Sequence, residues 1–198
     1  DLIAIHGGNE IFTSRLEKLF TESSEITGDN VSADITGLIG QYAHGNEPSH
    51  HIAYMFNHAN QPWRTQYWAR HIMDTQYNTT PNGLSGNEDC GQMSAWYVLS
   101  SIGLYPMNPA SGEYEIGSPI FEKSTIKLPE NKTFMIEAEY VSHTNFYIQS
   151  ATLNGKPFTK TTLSHQDILK GGTLHFVMGN KPNKNWGIKN KAQQLTKK

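Results

Sequence analysis

Two adjacent carboxylates, Glu88 and Asp89, stand where a glycine-punctuated loop (Gly83, Gly86, Gly91) gives way to a helical pattern through Met93, Trp96, Tyr97 and Leu99. At such a junction, unpaired N–H groups and the positive end of the helix dipole hold a carboxylate ionised. Flanking glycines let the backbone approach a ligand closely. The same residues also fit a purely structural role, because Asp89 is a preferred N-cap and Gln92 falls where a capping box places its Gln. A second stretch, Tyr42 to His51, gathers His44, Asn46, Glu47, His50 and His51, groups of metal-ligand and acid/base type, ahead of another helical pattern. Glu47 reads either as an oxygen ligand for a hard cation or as a helix-start carboxylate before Pro48. The three histidines would make a zinc set. Adjacent His50 and His51, however, point about 100° apart on a helix, so one should pack and the other face the loop.

Taken in order, His44-Gly45-Asn46-Glu47-Pro48-Ser49-His50-His51, Gln61-Pro62-Trp63, Gly86 through Tyr97 and Gly103-Leu104-Tyr105-Pro106 resemble glycoside hydrolase family 92, the calcium-dependent exo-acting α-mannosidases. The resemblance runs from the first helix to about Trp186. It implies an (α/α)6 barrel flanked by β-sandwich structure, of which this chain would supply the last helices and a β part. It also implies hydrolysis of terminal α-linked mannose of the α-1,2 type from glycans with inversion, which needs a general acid and a water-activating base. Asp89 matches the position of that base, with Glu88 tuning it or taking its place. Glu47, Asn46 and Asp89 match the Ca2+ site, and His44, Asn87 and Trp63 would contact the sugar. The family's general acid is a glutamate upstream of these motifs. The chain is therefore expected to be a piece of a longer, secreted or periplasmic protein, inactive without the N-terminal remainder. Two positions depart from the pattern: Asn87 stands where some relatives carry an aspartate, and Gly45 where relatives associated with α-1,2 linkages carry a glutamate.

The elements that must position these residues read as helical in the first half. Phe12, Leu16, Leu19 and Phe20 share a face after Asn9, a candidate cap, and Gly28-Asp29-Asn30 breaks the pattern. Ile35, Leu38 and Ile39 form a short apolar run before His44. Ile52, Met55, Phe56 and Ala59 resume helical spacing after Pro48. Pro62 suits a first helical position for a helix through Trp63, Tyr67, Arg70 and Met73. The polar loop from Tyr77 to Asn87 and a helix from about Gly91 to Ser101, stopped at Gly103, complete this half. Trp68 and Trp96 belong to the core by spacing, and Trp63 is the best candidate for a sugar-facing ring.

From about Gly112 the pattern becomes extended. Glu113–Gly117, Thr125–Leu128, Phe134–Tyr140, Phe146–Leu153 and Leu174–Met178 are β-branched or aromatic runs, Asn154-Gly155 signals a hairpin, and Ser164 with Asp167 suits one capped helical turn. The predicted class is α+β: a helical part over 1–110 carrying the active-site loops, an antiparallel β part over 111–180, and a basic tail over 181–198. A formal net charge of −2 argues against a polyanionic partner such as nucleic acid. No apolar run approaches the ~20 residues of a membrane helix. Cys90, the single cysteine, excludes an internal disulfide. A partial barrel leaves apolar faces uncovered, which predicts self-association of the chain by itself. The rival reading, a carbohydrate-binding or structural module without catalysis, predicts no convergence of polar groups at the two loops.

Overall fold

The structure, a computed structural model, describes residues 1–28, 32 and 35–188. A short helix α1 (Leu2–Ile5) leads into α2 (Asn9–Thr21), which buries Phe12, Leu16 and Phe20. Asn9 is the first helical residue and not the cap; Gly8, at φ 109°, holds the cap position. The break expected at Gly28-Asp29-Asn30 lies, beyond Gly28, outside the described residues. The apolar run at Leu38 and Ile39 becomes a hairpin of β1 (Leu38–Ile39) and β2 (Tyr42–Ala43). Its turn packs on the end of α2: Gln41 N donates to Leu19 O at 2.7 Å, and a Cβ on Gly40, φ +60°, would lie 2.7 Å from that same carbonyl oxygen.

The stretch after Pro48 is two 3-10 turns, Glu47–Ser49 and Ile52–Tyr54, followed by α3 (Met55–His58). The backbone bonds there run i→i−3, as in Tyr54 N to His51 O at 3.0 Å, and the His50 carbonyl accepts from Trp96 Nε1 at 3.1 Å. α4 (Pro62–Gln76) opens on Pro62 as expected, and α5 (Gln92–Ser101) follows the long loop. These helices and the hairpin enclose one core that includes Phe20, Tyr42, Phe56, Trp68, Ile72 and Trp96.

The β part contains β3 (Leu104–Tyr105), β4 (Glu113–Ile116), β5 (Lys123–Lys127), β6 (Thr133–Glu139), β7 (Tyr147–Leu153), β8 (Lys156–Pro157), β9 (Thr162–Ser164) and β10 (Gly172–Gly179). They form a three-stranded sheet, β3-β4-β9, and a five-stranded sheet, β5-β6-β10-β7-β8. Alternate residues of β6 (Phe134, Ile136, Ala138) and β10 (Leu174, Phe176, Met178) face inward and share a core with Leu104, Ile116 and Leu163 of the smaller sheet, as in a sandwich. Asn154 (φ 51°) and Gly155 (φ 76°) make the expected tight turn between β7 and β8. Ser164 accepts a hydrogen bond from Asp167 N at 3.1 Å and caps α6 (His165–Leu169).

Two details differ from the sequence reading. β10 pairs antiparallel with β7 but parallel with β6, because β10 inserts between two strands of opposite direction. β3 bonds to β4, so the strands of the β part begin ahead of residue 111. Trp186, an apolar residue at the start of the basic tail, anchors it: it is 5% exposed and donates to Phe158 O at 3.1 Å. The tail from 189 on lies outside the described residues.

The two parts are fastened along α3 and α4. Asn57 donates to Glu115 Oε2 (2.8 Å) and Ile116 O (3.1 Å), and His58 Nε2 lies 2.8 Å from Glu115 Oε1. Gln66 Oε1 accepts from Ile148 N at 3.0 Å, and buried Arg70 donates to Pro119 O (2.9 Å) and Ser142 O (2.7 Å). Main-chain carbonyls and an amide are thereby satisfied by side chains across the seam, where water has little access.

Candidate active site

Glycine, by absence of a side chain, brings the two polar loops together. A Cβ on Gly86 would lie 2.6 Å from Gly45 Cα, and one on Gly45 would lie 2.8 Å from Ser85 O and collide with Thr36 Oγ1. Backbone therefore meets backbone, and Glu47 on one loop reaches Asp89 on the other. A hydrogen bond with Glu47, reinforced by its negative charge, raises the Asp89 carboxyl above the usual carboxylate range. Glu47 Oε1 is buried with no hydrogen-bond partner, an orphan acceptor of the kind that folded proteins rarely keep. Asp89 (φ 44°), Cys90 (φ 59°) and Gly91 (φ 94°) lie consecutively in the left-handed region. Only the last is a glycine, so the backbone is strained where it aims Asp89.

Asp89 is not the helix cap. Gly91 holds the cap position, and the side chain that serves the helix start is Glu88: its Oε1 accepts from Ser94 N at 3.0 Å and its Oε2 from Ser94 Oγ at 2.7 Å, supplying an acceptor for one of the orphan amides of the α5 start. Nor does Gln92 complete a capping box, because its amide lies 3.2 Å from His50 Nδ1. Asn46, extended at φ −129°, precedes the first 3-10 turn without a side-chain capping bond, so its amide is not spent on the helix start. Asn87 is exposed beside the two carboxylates.

Below the loops the histidines belong to the interior. His44 is fully buried, its Nδ1 2.8 Å from Tyr42 Oη and its Nε2 2.6 Å from Tyr77 Oη. Tyr77 spends its one proton on Met93 O at 3.0 Å, so it accepts from His44 Nε2–H, and Tyr42 donates to Nδ1. His50 Nε2 likewise donates to His44 O at 3.0 Å. Burial, helped by the neighbouring His50, pushes the His44 pKa down to about 3. Burial also lowers that of His50, against the raising effect of its bond to the His44 carbonyl. Both rings are therefore neutral near pH 7, and all four of their nitrogens are in use.

Two sequence-based assignments change as a result. His44, expected on the sugar, is a buried strut between the loops. His50 packs and His51 is exposed, as expected of adjacent histidines, and the alternative zinc set is not assembled: no group of three His, Cys, Asp or Glu positioned for a metal exists among the described residues. Trp63 opens α4, whereas Tyr77 follows its far end; at 1.5 Å per residue the helix separates them by about 20 Å. Trp63 accordingly stands apart from the site held by Tyr77. Sequence reasoning missed Tyr42 and Tyr77, which look like ordinary core aromatics; a clue was the place of Tyr77 at the exact hinge between helix and loop.

The comparisons agree with this architecture. Residues 1–180 match the glycosyl hydrolase family 92 catalytic domain. An α-mannosidase of that family from Bacteroides thetaiotaomicron, solved with mannoimidazole, is 45% identical with a TM-score of 0.85 over 92% of this chain and 24% of that one. An inverting mannosidase of the family from the same organism is 38% identical, TM-score 0.80, over 94% of this chain and 26% of that one. An uncharacterized secreted glycosidase of Arthroderma benhamiae is 37% identical over 72% of this chain and 19% of its own length. The chain thus spans about a quarter of the solved relatives it matches. With loops, helices and sheets all accounted for over that span, it belongs to glycosyl hydrolase family 92.

Proposed function

We propose that this chain is the C-terminal part of an α-mannosidase that releases terminal α-linked mannose from glycans with inversion, and that Asp89 is its general base. The observation that carries the reading is the meeting of Asp89 with Glu47 at a junction made by two glycines. A base must accept a proton from water while its position stays fixed. The strained run at Asp89 and Cys90 and the Glu88 side chain bonded to the start of α5 provide that fixing. Glu88, with both oxygens engaged by Ser94, supports the base and does not replace it.

Two touching carboxylates and the unpartnered Glu47 Oε1 call for a cation or a proton between them, and the donors are hard oxygens, which fits calcium. Glu47 and Asp89, with Asn46 beside them, are the residues that would hold it. The ion, when bound, supplies positive charge to sugar hydroxyls. Asn87 is exposed where it can meet the sugar. Gly45 leaves no room for the glutamate associated with α-1,2 cleavage, so we place the preference outside that subgroup's signature. The general acid and the remaining barrel helices come from the rest of the parent chain. The outer face of α5 offers apolar surface to such neighbours, with Val98 58% exposed and Ala95 exposed beside it, and by itself the chain would cover that face by self-association. The name of the fungal relative supports a secreted parent. No described helix is long and apolar enough to cross a membrane.

The test is mannoside hydrolysis by the full-length parent carrying Asp89→Asn or Glu88→Gln. Loss of about 10²–10⁴ in rate for Asp89→Asn alone is expected. Near-normal turnover in that variant, with loss in Glu88→Gln, would move the base by one position. This chain alone should release no mannose.

A further inference from the structure

Trp63, expected on the sugar but about 20 Å along α4 from the Tyr77 end, lies in a groove of its own. A cavity of ≈ 210 Å³ is lined there by Glu17, Trp63, Arg64, Tyr67, Trp68 and Tyr147. It shares Glu17 and Arg64 with a neighbouring cavity of ≈ 350 Å³ that reaches Gln61 and Thr13. Trp63 and Tyr147 are half-buried and Tyr67 is 40% exposed, so ring surface is presented to solvent while the rings stay anchored. Lys184 stands 5.9 Å from the centroid of Trp63, over its ring.

The polar groups are fixed in place. Glu17 Oε2 accepts from Trp68 Nε1 at 3.0 Å and forms an ion pair with Arg64 Nη1 at 2.6 Å. Arg64 Nε donates to Gln61 Oε1 at 2.6 Å, and Gln61 Nε2 donates to Thr13 Oγ1 at 2.9 Å. The ion pair sets the carboxylate of Glu17 beside the guanidinium of Arg64, an acceptor next to a donor, with both side chains about one-third exposed. A carboxylate next to a guanidinium matches a pair of adjacent hydroxyls, one giving and one taking a proton. Exposed aromatic faces match the C–H face of a pyranose. An acidic ligand would leave the carboxylate of this charge pair opposed.

We propose that this groove is a second sugar-binding site, separate from the Asp89 centre, which takes a pyranose ring of the glycan on Trp63 and Tyr67 and its vicinal hydroxyls on Glu17 and Arg64. The inference rests on reading the parent as a glycan hydrolase. It assigns the groove to holding a distal part of the same substrate while the terminal residue is cleaved.

The test uses the full-length parent with Asp89→Asn, so that binding is read with turnover suppressed, in native gels with and without soluble α-mannan. Adding Trp63→Ala or Arg64→Met should weaken retardation by the mannan about tenfold, as truncating an anchor residue does, while Trp63→Phe retains most of it. Thermal unfolding of each variant separates lost binding from lost folding, and Tyr67→Ala, on the exposed side of the groove, gives a second ring to remove. A parent that the mannan does not retard, or retardation indifferent to Trp63, Tyr67 and Arg64 in folded variants, overturns the site. Turnover of a simple aryl mannoside by the unsubstituted parent judges the hydrolase reading separately. Turnover with groove-independent retardation sinks only the second site, and groove-dependent retardation without turnover sinks only the hydrolase.

Discussion

Glu88 accepts two hydrogen bonds from Ser94 while Asp89 meets Glu47, so removing these neighbouring carboxylates should have separable consequences. Asp89→Asn should lower turnover and leave unfolding unchanged. Glu88→Ala should lower the thermal midpoint, by the ~1 kcal/mol usual for a lost helix cap, and affect turnover only through misplacement of α5. Paired thermal scans and rate assays check this. A second residue-scale expectation concerns acid. His44 and His50 bind a proton less readily folded than unfolded. Their stabilising contribution is thus complete above the ordinary histidine value near pH 6.5 and is lost as pH falls toward about 3, where folded His44 itself titrates. Unfolding midpoints at pH 7.5 and 5 should fall with a slope of up to ~1.4 kcal/mol per pH unit for each group, and the slope should shrink in His50→Asn. A slope unchanged by that substitution would assign the acid sensitivity elsewhere. The adjacency of Glu88 and Asp89 was legible in the sequence, but the division of roles was not. Both sit one turn ahead of a helix, and which one serves its start depends on positive φ values at Asp89 and Cys90 that the residue types do not demand.

At the level of elements, the closest tolerance in the site is the crossing of two loops at Gly45 and Gly86. Gly86→Ala puts a methyl group 2.6 Å from Gly45 Cα, which only backbone movement relieves, at a cost of ~1–3 kcal/mol. Because that movement parts Glu47 from Asp89, activity of the full-length parent should fall further than the stability loss explains; comparing turnover with the unfolding midpoint checks it. α4 and α5 were readable from apolar spacing and from Pro62 and Gly103. So was the β7–β8 turn from Asn154-Gly155, since these signals are local. The hairpin of β1 and β2 was not: its two-residue strands carry too little alternation, and its turn is held by contact with α2. The expected helix after Pro48 is broken into two 3-10 turns, and the His50 carbonyl bonds to Trp96 of α5, a tertiary contact that no local pattern announces.

Across the whole molecule, α4 holds the helical part and the sandwich together through Gln66 and Arg70. Arg70→Met leaves the carbonyls of Pro119 and Ser142 without their donor in a buried seam, which should cost ~2–4 kcal/mol. Far-UV dichroism and tryptophan emission should report one shared transition in the parent sequence and drift apart in that variant; coincident curves in both would mean that the seam is not what couples the parts. The sequence divided the chain near residue 111 by its change of pattern, but the parallel pairing of β10 was invisible, since strand order is set by which edges remain open after the rest has paired. That pairing has a consequence for how the protein is made. β10, which leaves the ribosome after every other described strand, occupies a central position between β6 and β7. Until Gly179 has emerged, the inner edges of both earlier strands stay unpaired and Phe134, Ile136 and Ile148 lack the strand that covers them. The nascent sheet must therefore wait, open and adhesive, for its keystone, and ribosome-bound chains stalled before β10 should need a chaperone that complete chains do not.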